Sequence, residues 1–294
     1  MFMLKGLFSQ SGIISKMLIL FGVSCFTVVL GAIVMLLVPR TNVQDVSYLK
    51  TMQLVESVGM FVIPPFIFAY FCSVKPIFFL HFDRKTNWLH IAIVVLFMLM
   101  IIPGINLISS LNQQMILPEA FAGIEAWMKT SEVQMAKLTE QLLNVHSLQA
   151  LIFNVMLIAM IPALGEELFF RGAIQGILGE KMNMRFAIWI SAIVFSAIHL
   201  QFYGFFPRLL MGAFFGYLLF WSENLWLPIA AHFTNNAVAI VFYYLKYNGH
   251  KLPDIDTIGT GNTLWLGLLS AVLAICGFFW LKKLLFQQRQ ISLE

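Results

Sequence analysis

Strongly apolar runs recur along the chain at residues 17–38, 57–74, 88–111, 147–164, 186–200, 209–221, 225–244 and 263–286, all uncharged but the last, which holds Lys282 and Lys283 near its end. A helix needs about 20 such residues to cross a hydrocarbon core about 30 Å thick. In that medium the backbone N–H and C=O groups must find partners inside the segment, and a helix provides them. The pattern predicts an all-α polytopic membrane protein with about eight transmembrane helices. Pro64-Pro65 falls inside the second run and Pro103-Gly104 inside the third, so a kink is expected in the second. The runs at 186–200 and 209–221 are short. Together with the Gly, Pro and polar residues nearby, they predict a protein-lined, partly hydrated interior around the second half.

Residues 112–146 break the pattern. Glu119, Glu125, Lys129, Glu132, Lys137 and Glu140 alternate with apolar residues there, and Phe121, Ile124, Trp127 and Met128 fall at near-helical spacing. This predicts one or two amphipathic helices on the membrane surface, with Pro118 placed to start the first. Residues 1–16, carrying Lys5 and Lys16 among apolar neighbours, predict a short interfacial helix. The run at 17–38 is longer than a signal-peptide core and reads as a retained first span. The organisation expected is a three-span region at 1–146 that includes the surface segment 112–146. A core at 147–245 follows, then a loop, last span and basic tail at 246–294.

Composition agrees with the pattern: 60% of the 294 residues are hydrophobic and 11% charged, against about 25% charged in soluble domains. The net charge of +4 comes from scattered residues. No basic stripe is present, so nucleic acid is not an expected partner. Cys25, Cys72 and Cys276 sit singly in apolar runs and offer neither a disulfide framework nor a metal pair. Lys282 and Lys283 close the last span. The Lys/Arg excess falls on the side that holds both ends, which predicts a multi-pass cell-membrane protein with cytoplasmic termini.

The chemistry concentrates at residues 161–172, I-P-A-L-G-E-E-L-F-F-R-G. A charge inside a membrane-grade segment costs roughly 2.5–3.5 kcal/mol on insertion scales, and three stand here. On a helix Glu167 and Arg171 are i,i+4 neighbours able to pair. Glu166 points about 100° away and stays free. Two further polar sets lie in later runs: His199, one turn after Phe195, and His232 with Asn236 on one stripe, from which Asn235 is rotated away. His81, His90, His146 and His250 fall near span ends or in loops and read as interfacial residues or satisfied core groups.

A free carboxylate, two imidazoles and an amide make a hydrolytic set. The carboxylate takes a proton from water, an imidazole holds the water or donates to the leaving group, and an imidazole with an amide can serve an oxyanion. Glu166, His199 and His232 are equally three candidate zinc ligands with one position left open. With H-E-x-x-H absent, those ligands would have to come from three separate segments. A non-catalytic membrane scaffold or regulator, and a small transporter using the polar cluster as an ion site, stand beside the hydrolase.

At these residues the chain resembles the CAAX-protease and bacteriocin-processing family of intramembrane proteases, also called CPBP or Abi, whose eukaryotic member is the type II CAAX prenyl endopeptidase. The family's motifs E-E-x-x-x-R, F-x-x-x-H and H-x-x-x-N occur in order as Glu166-Glu167…Arg171, Phe195…His199 and His232…Asn236. The likeness covers roughly residues 147–245. It implies an endopeptidase acting on a membrane-associated protein or peptide, lipidated and CAAX-like in one branch of the family. In other branches the relatives are bacteriocin-maturation or immunity proteins. It implies that Glu166 activates water with His199, that His232 and Asn236 stabilise the oxyanion, and that Glu167 and Arg171 support the site. Mechanisms with zinc and without a metal are both argued for the family.

Overall fold

Helices begin where the sequence supplies a cap. Asp45 accepts from the backbone N–H of Ser47 and Tyr48, Asn87 from Leu89, Ser147 from Ala150 and Asn183 from Arg185, at 3.0–3.2 Å. The computed structural model describes residues 4–39 and 45–291, with side chains through residue 287. Its long helices are α1 (Ile13–Met35), α2 (Val46–Cys72), α3 (Trp88–Gln113), α4 (Ala122–Leu143) and α5 (Leu148–Gly179). They continue with α6 (Met184–Ala197), α7 (Phe205–Ser222), α8 (Trp226–Tyr247) and α9 (Leu264–Ile291). No strand occurs among the described residues. Among the described residues six helices are long and apolar enough to cross a membrane, namely α1, α2, α3, α5, α7 and α9. The protein is an all-helical, multi-pass membrane protein.

Eight of these helices occupy the eight apolar runs, with two differences of kind. Helix α6 has 14 residues and is about 21 Å long, so on its own it does not span a core of about 30 Å. Helix α8 has 22 residues but carries the polar set around His232. Contacts between helix ends arrange the bundle up and down. Lys16 meets Glu180 and Arg84 meets Glu223 at one face. At the other, Asn112 bonds the Phe202 carbonyl and the Phe206 amide, and Asn248 the Val145 carbonyl.

Two expectations are corrected. Of the segment 1–16, residues 1–3 lie outside the described residues. Residues 4–10 form turns rather than an interfacial helix, and α1 starts at Ile13. Lys16 is buried inside α1, its Nζ 2.7 Å from both oxygens of Glu180. A charge partner from α5's far end makes that burial tolerable. The second span starts at Val46 rather than 57, because the Asp45 cap lets the helix begin early and run past Glu56. The surface segment resolves into a single turn at Glu119–Phe121 followed by α4, with Ile124 and Trp127 half exposed.

Proline shapes three of the helices. In α2 and α5 the backbone widens into π turns, Val58–Val62 and Val155–Met160, just before Pro64 and Pro162. A proline ring collides with the carbonyl four residues back, and the wider turn relieves this. In α3 the hydroxyl of Ser270 enters the helix beside Pro103. It accepts from the Gly104 amide at 3.0 Å and donates to the Met100 carbonyl at 2.8 Å, replacing the direct bond between them. Replacing Ser270 with alanine leaves a donor and an acceptor unpaired in the bundle. We expect a loss of about 1–3 kcal/mol, read as a lower midpoint in thermal unfolding of the detergent-solubilised protein.

The second π stretch of α5, Glu167–Ile174, lies at the centre, and all eight of its residues are buried. Leu168, Phe170, Ala173 and Ile177 pack there with Leu20, Phe68, Leu80 and Phe195 from four other segments. The exposed apolar side chains of α1 and α9, such as Phe26, Val29, Val272 and Ile275, form the lipid-facing exterior. Charges on the central stretch of α5 are therefore surrounded by protein.

Candidate active site

Pro162 and the π turn that follows Glu166 bring α5 against α2. An added Cβ at Gly165 would lie 2.9 Å from Val62 Cγ2, so only glycine permits this approach beside the two acids. The two carboxylates then meet different surroundings. Glu167 Oε1 accepts from Arg171 Nη1 at 2.8 Å and from His232 Nδ1 at 2.8 Å. Its side chain is wholly buried, and that of Arg171 is 1% exposed. The other guanidinium end, Nη2, donates to the Gly212 carbonyl at 2.9 Å. The guanidinium also lies 4.5 Å from the ring centre of Phe195 and 5.4 Å from that of Phe215. A Cβ at Gly212 would stand 3.0 Å from the Phe195 ring and 3.2 Å from Arg171 Nη2, so this packing requires the bare backbone.

Glu167 thereby fixes the tautomer of His232. A carboxylate only accepts, so Nδ1 carries a proton, and in the neutral imidazole Nε2 is left with a lone pair. The imidazole is held further by stacking on Phe215, with ring centres 5.3 Å apart. Its Nε2 faces Glu166 Oε2 at 3.9 Å. That is too long for a hydrogen bond and suits one small polar atom shared between them. Glu166 Oε2 is buried with no hydrogen-bond partner in the protein, while the side chain keeps 13% of its surface open.

The other motif residues sit around this pair. Phe195 lies between the two imidazoles, its ring centre 5.1 Å from His199 and 6.0 Å from His232. His199 Nδ1 bonds the Phe195 carbonyl at 2.7 Å, which leaves Nε2 as its unprotonated atom when neutral. No hydrogen bond or ion pair joins His199 to Glu166. Asn236 follows His232 by one turn of α8, and its Oδ1 accepts from Asn235 Nδ2 at 3.3 Å, so its own amide N–H groups stay free to donate.

The structure thus pairs Glu166 with His232, not with the expected His199. It also joins Glu167 to a second partner that the i,i+4 rule did not supply. Among the described residues the three candidate zinc ligands, Glu166, His199 and His232, do not gather into one ligand set.

Sequence reasoning missed Arg208, which stands in the first turn of α7, directly after Pro207 and four residues before Gly212, and which no motif or spacing singles out. It missed Phe215 as well, which no motif marks. His81, read as interfacial, lines a cavity with Arg171, Gln175 and Glu223 beneath the buried ion pair.

The fold and site define a class: a helical membrane protein with a sheltered carboxylate and an oriented imidazole in its interior. Residues 148–238 match the family described as Type II CAAX prenyl endopeptidase Rce1-like, so the resemblance read from three motifs extends across the segment that holds all of them. The chain is also 30% identical over 103 residues to the Bacillus subtilis (strain 168) protein named "Putative membrane peptidase YdiL", a match covering 35% of this chain and 41% of the relative. A second protein of that organism, "Uncharacterized protein YpbD", is 27% identical over 120 residues, 38% of this chain and 57% of the relative. Each match spans less than two thirds of the curated relative. No solved structure matches the chain significantly. These likenesses relate the chain to a family of membrane proteases.

Proposed function

We propose that the protein is an intramembrane endopeptidase that hydrolyses a peptide bond of a membrane-associated protein or peptide. The observation that carries this reading is the division of labour between adjacent acids: Glu167 is locked to Arg171 and His232, and Glu166 keeps its Oε2 buried, unbonded and 3.9 Å from the imidazole that Glu167 orients.

A water molecule bonded to Glu166 Oε2 and to His232 Nε2 is the nucleophile. Glu166 removes one of its protons as the oxygen attacks the carbonyl carbon, and the carbonyl becomes an oxyanion. The Asn236 amide donates to that oxyanion. As the C–N bond breaks, the proton held by Glu166 passes to the leaving nitrogen. Arg171 and Glu167 take no proton. They hold His232 in the one tautomer that can accept from the water, as an acid orients an imidazole in other hydrolases. His199 stands against the Phe195 ring, which separates it from His232. The basic residues around the chain ends support an orientation with both termini in the cytoplasm.

The test compares membranes from cells that make the protein with those that make its Glu166→Gln variant, by mass spectrometry of peptide ends. The reading expects new C-termini that need intact Glu166. Identical peptide ends in both membranes, with cellular function unchanged, would favour the scaffold instead.

A further inference from the structure

A cavity of about 250 Å³ opens between α3, α7, α8 and the loop before α9. It is distinct from the Glu166–His232 pair but adjoins it. Arg208 forms part of its wall, and Asn106, Ser109, Asn235 and Asp256 supply the other polar groups. Two helices connect this cavity to the site. On α7, Arg208 precedes Gly212, the carbonyl that holds Arg171, by one turn. On α8, Asn235 follows His232 by one turn and bonds Asn236. The cavity therefore lies about 5–6 Å beyond the site along both helices.

The Arg208 guanidinium is the distinctive group in this cavity. Its Nη2 donates only to the Gln201 carbonyl, at 3.3 Å, and its Nη1 is buried without any partner. Among the described residues no carboxylate lies within 4.0 Å of it. Asp256, in the same wall, already accepts from the Tyr243 hydroxyl at 3.0 Å. Glu132 on α4 is the acid whose charge acts most on Arg208, from beyond ion-pair distance, and its own Oε2 is buried and unbonded. A partly buried guanidinium with one buried, unbonded N–H edge gains from an acceptor that completes it.

We propose that this cavity is the subsite for a polar part of the substrate, and that Arg208 holds a carboxylate carried by the peptide. This rests on the hydrolase reading above. An extended chain advances about 3.3 Å per residue, so one helical turn corresponds to about two residues. The carboxylate then belongs to the peptide within a few residues of the bond that is cut, either as its C-terminus or as an acidic side chain. Arg208 acts here as a specificity residue and takes no part in the proton transfers.

The experiment measures binding, so that it stands whether or not the protein hydrolyses anything. Purified Glu166→Gln protein in nanodiscs is titrated with three fluorescent peptides of one apolar membrane-inserting sequence. One ends in a free carboxylate, one in an amide, and one in an amide with a glutamate in its polar tail. We expect at least one carboxylate peptide to bind about tenfold more tightly than the neutral amide. Adding Arg208→Gln should erase that preference, and Arg208→Lys should keep part of it, which separates a lost charge from a damaged fold. The free-end and glutamate peptides tell the two sources of the carboxylate apart. Equal affinity for all three peptides, no binding of any, or a preference that survives Arg208→Gln would overturn the proposal. Carboxylate preference through Arg208 without cleavage by the unsubstituted protein would count against the hydrolase reading alone.

Discussion

We expect replacement of Glu166 with glutamine to lower peptide hydrolysis by about a thousandfold or more while leaving the folded protein intact. General-base assistance contributes about 10²–10⁴-fold, and this substitution removes the base while keeping its shape. No protein group depends on Glu166 Oε2 for a hydrogen bond, so the bundle loses nothing by its replacement. Unfolding midpoints should therefore match those of the unsubstituted protein, and initial rates on a membrane-reconstituted peptide should fall to background.

Its neighbour behaves in the opposite way. Glu167→Ala strips the buried Arg171 guanidinium of its counter-charge and releases His232 Nδ1. Removing one member of a buried pair costs about 3–5 kcal/mol, because the remaining charge has neither water nor partner. The thermal midpoint should drop sharply and the rate with it. A joint replacement, Glu167→Met with Arg171→Met, removes both charges together. It should recover most of the stability, since apolar residues of similar volume commonly substitute well for a buried pair. It should not recover hydrolysis, because His232 is no longer held in one tautomer. Measuring stability and rate for the unsubstituted protein, Glu167→Ala and the joint replacement separates the structural task of Glu167 from its task in orienting the imidazole.

Much of this site could be read from spacing. The i,i+4 relation joined Glu167 to Arg171 and left Glu166 apart, and the same two relations stand in the structure although the backbone there is π-helical. The apolar runs located the helices because lipid demands uninterrupted apolar length. What local spacing could not supply were contacts between distant parts of the chain. Lys16 meets Glu180 across 164 positions, and Ser270 enters α3 across 166. His232 reaches Glu167 across 65. No periodicity in a single helix encodes these, since they depend on how helices are stacked. Arg208 was hidden for the same reason: its significance comes from a cavity built by three helices and a loop. The early start of α2 was legible in principle from the Asp45 cap, but the charge at Glu56 obscured it.

The central claim is that Glu166 and an oriented His232 activate water against a peptide bond. The most direct measurement is mass spectrometry of products made by the purified, reconstituted protein in water enriched in oxygen-18. The account predicts one heavy oxygen in each newly formed carboxylate and no product from the Glu166→Gln protein. Labelled product formed at an undiminished rate by that variant would contradict it.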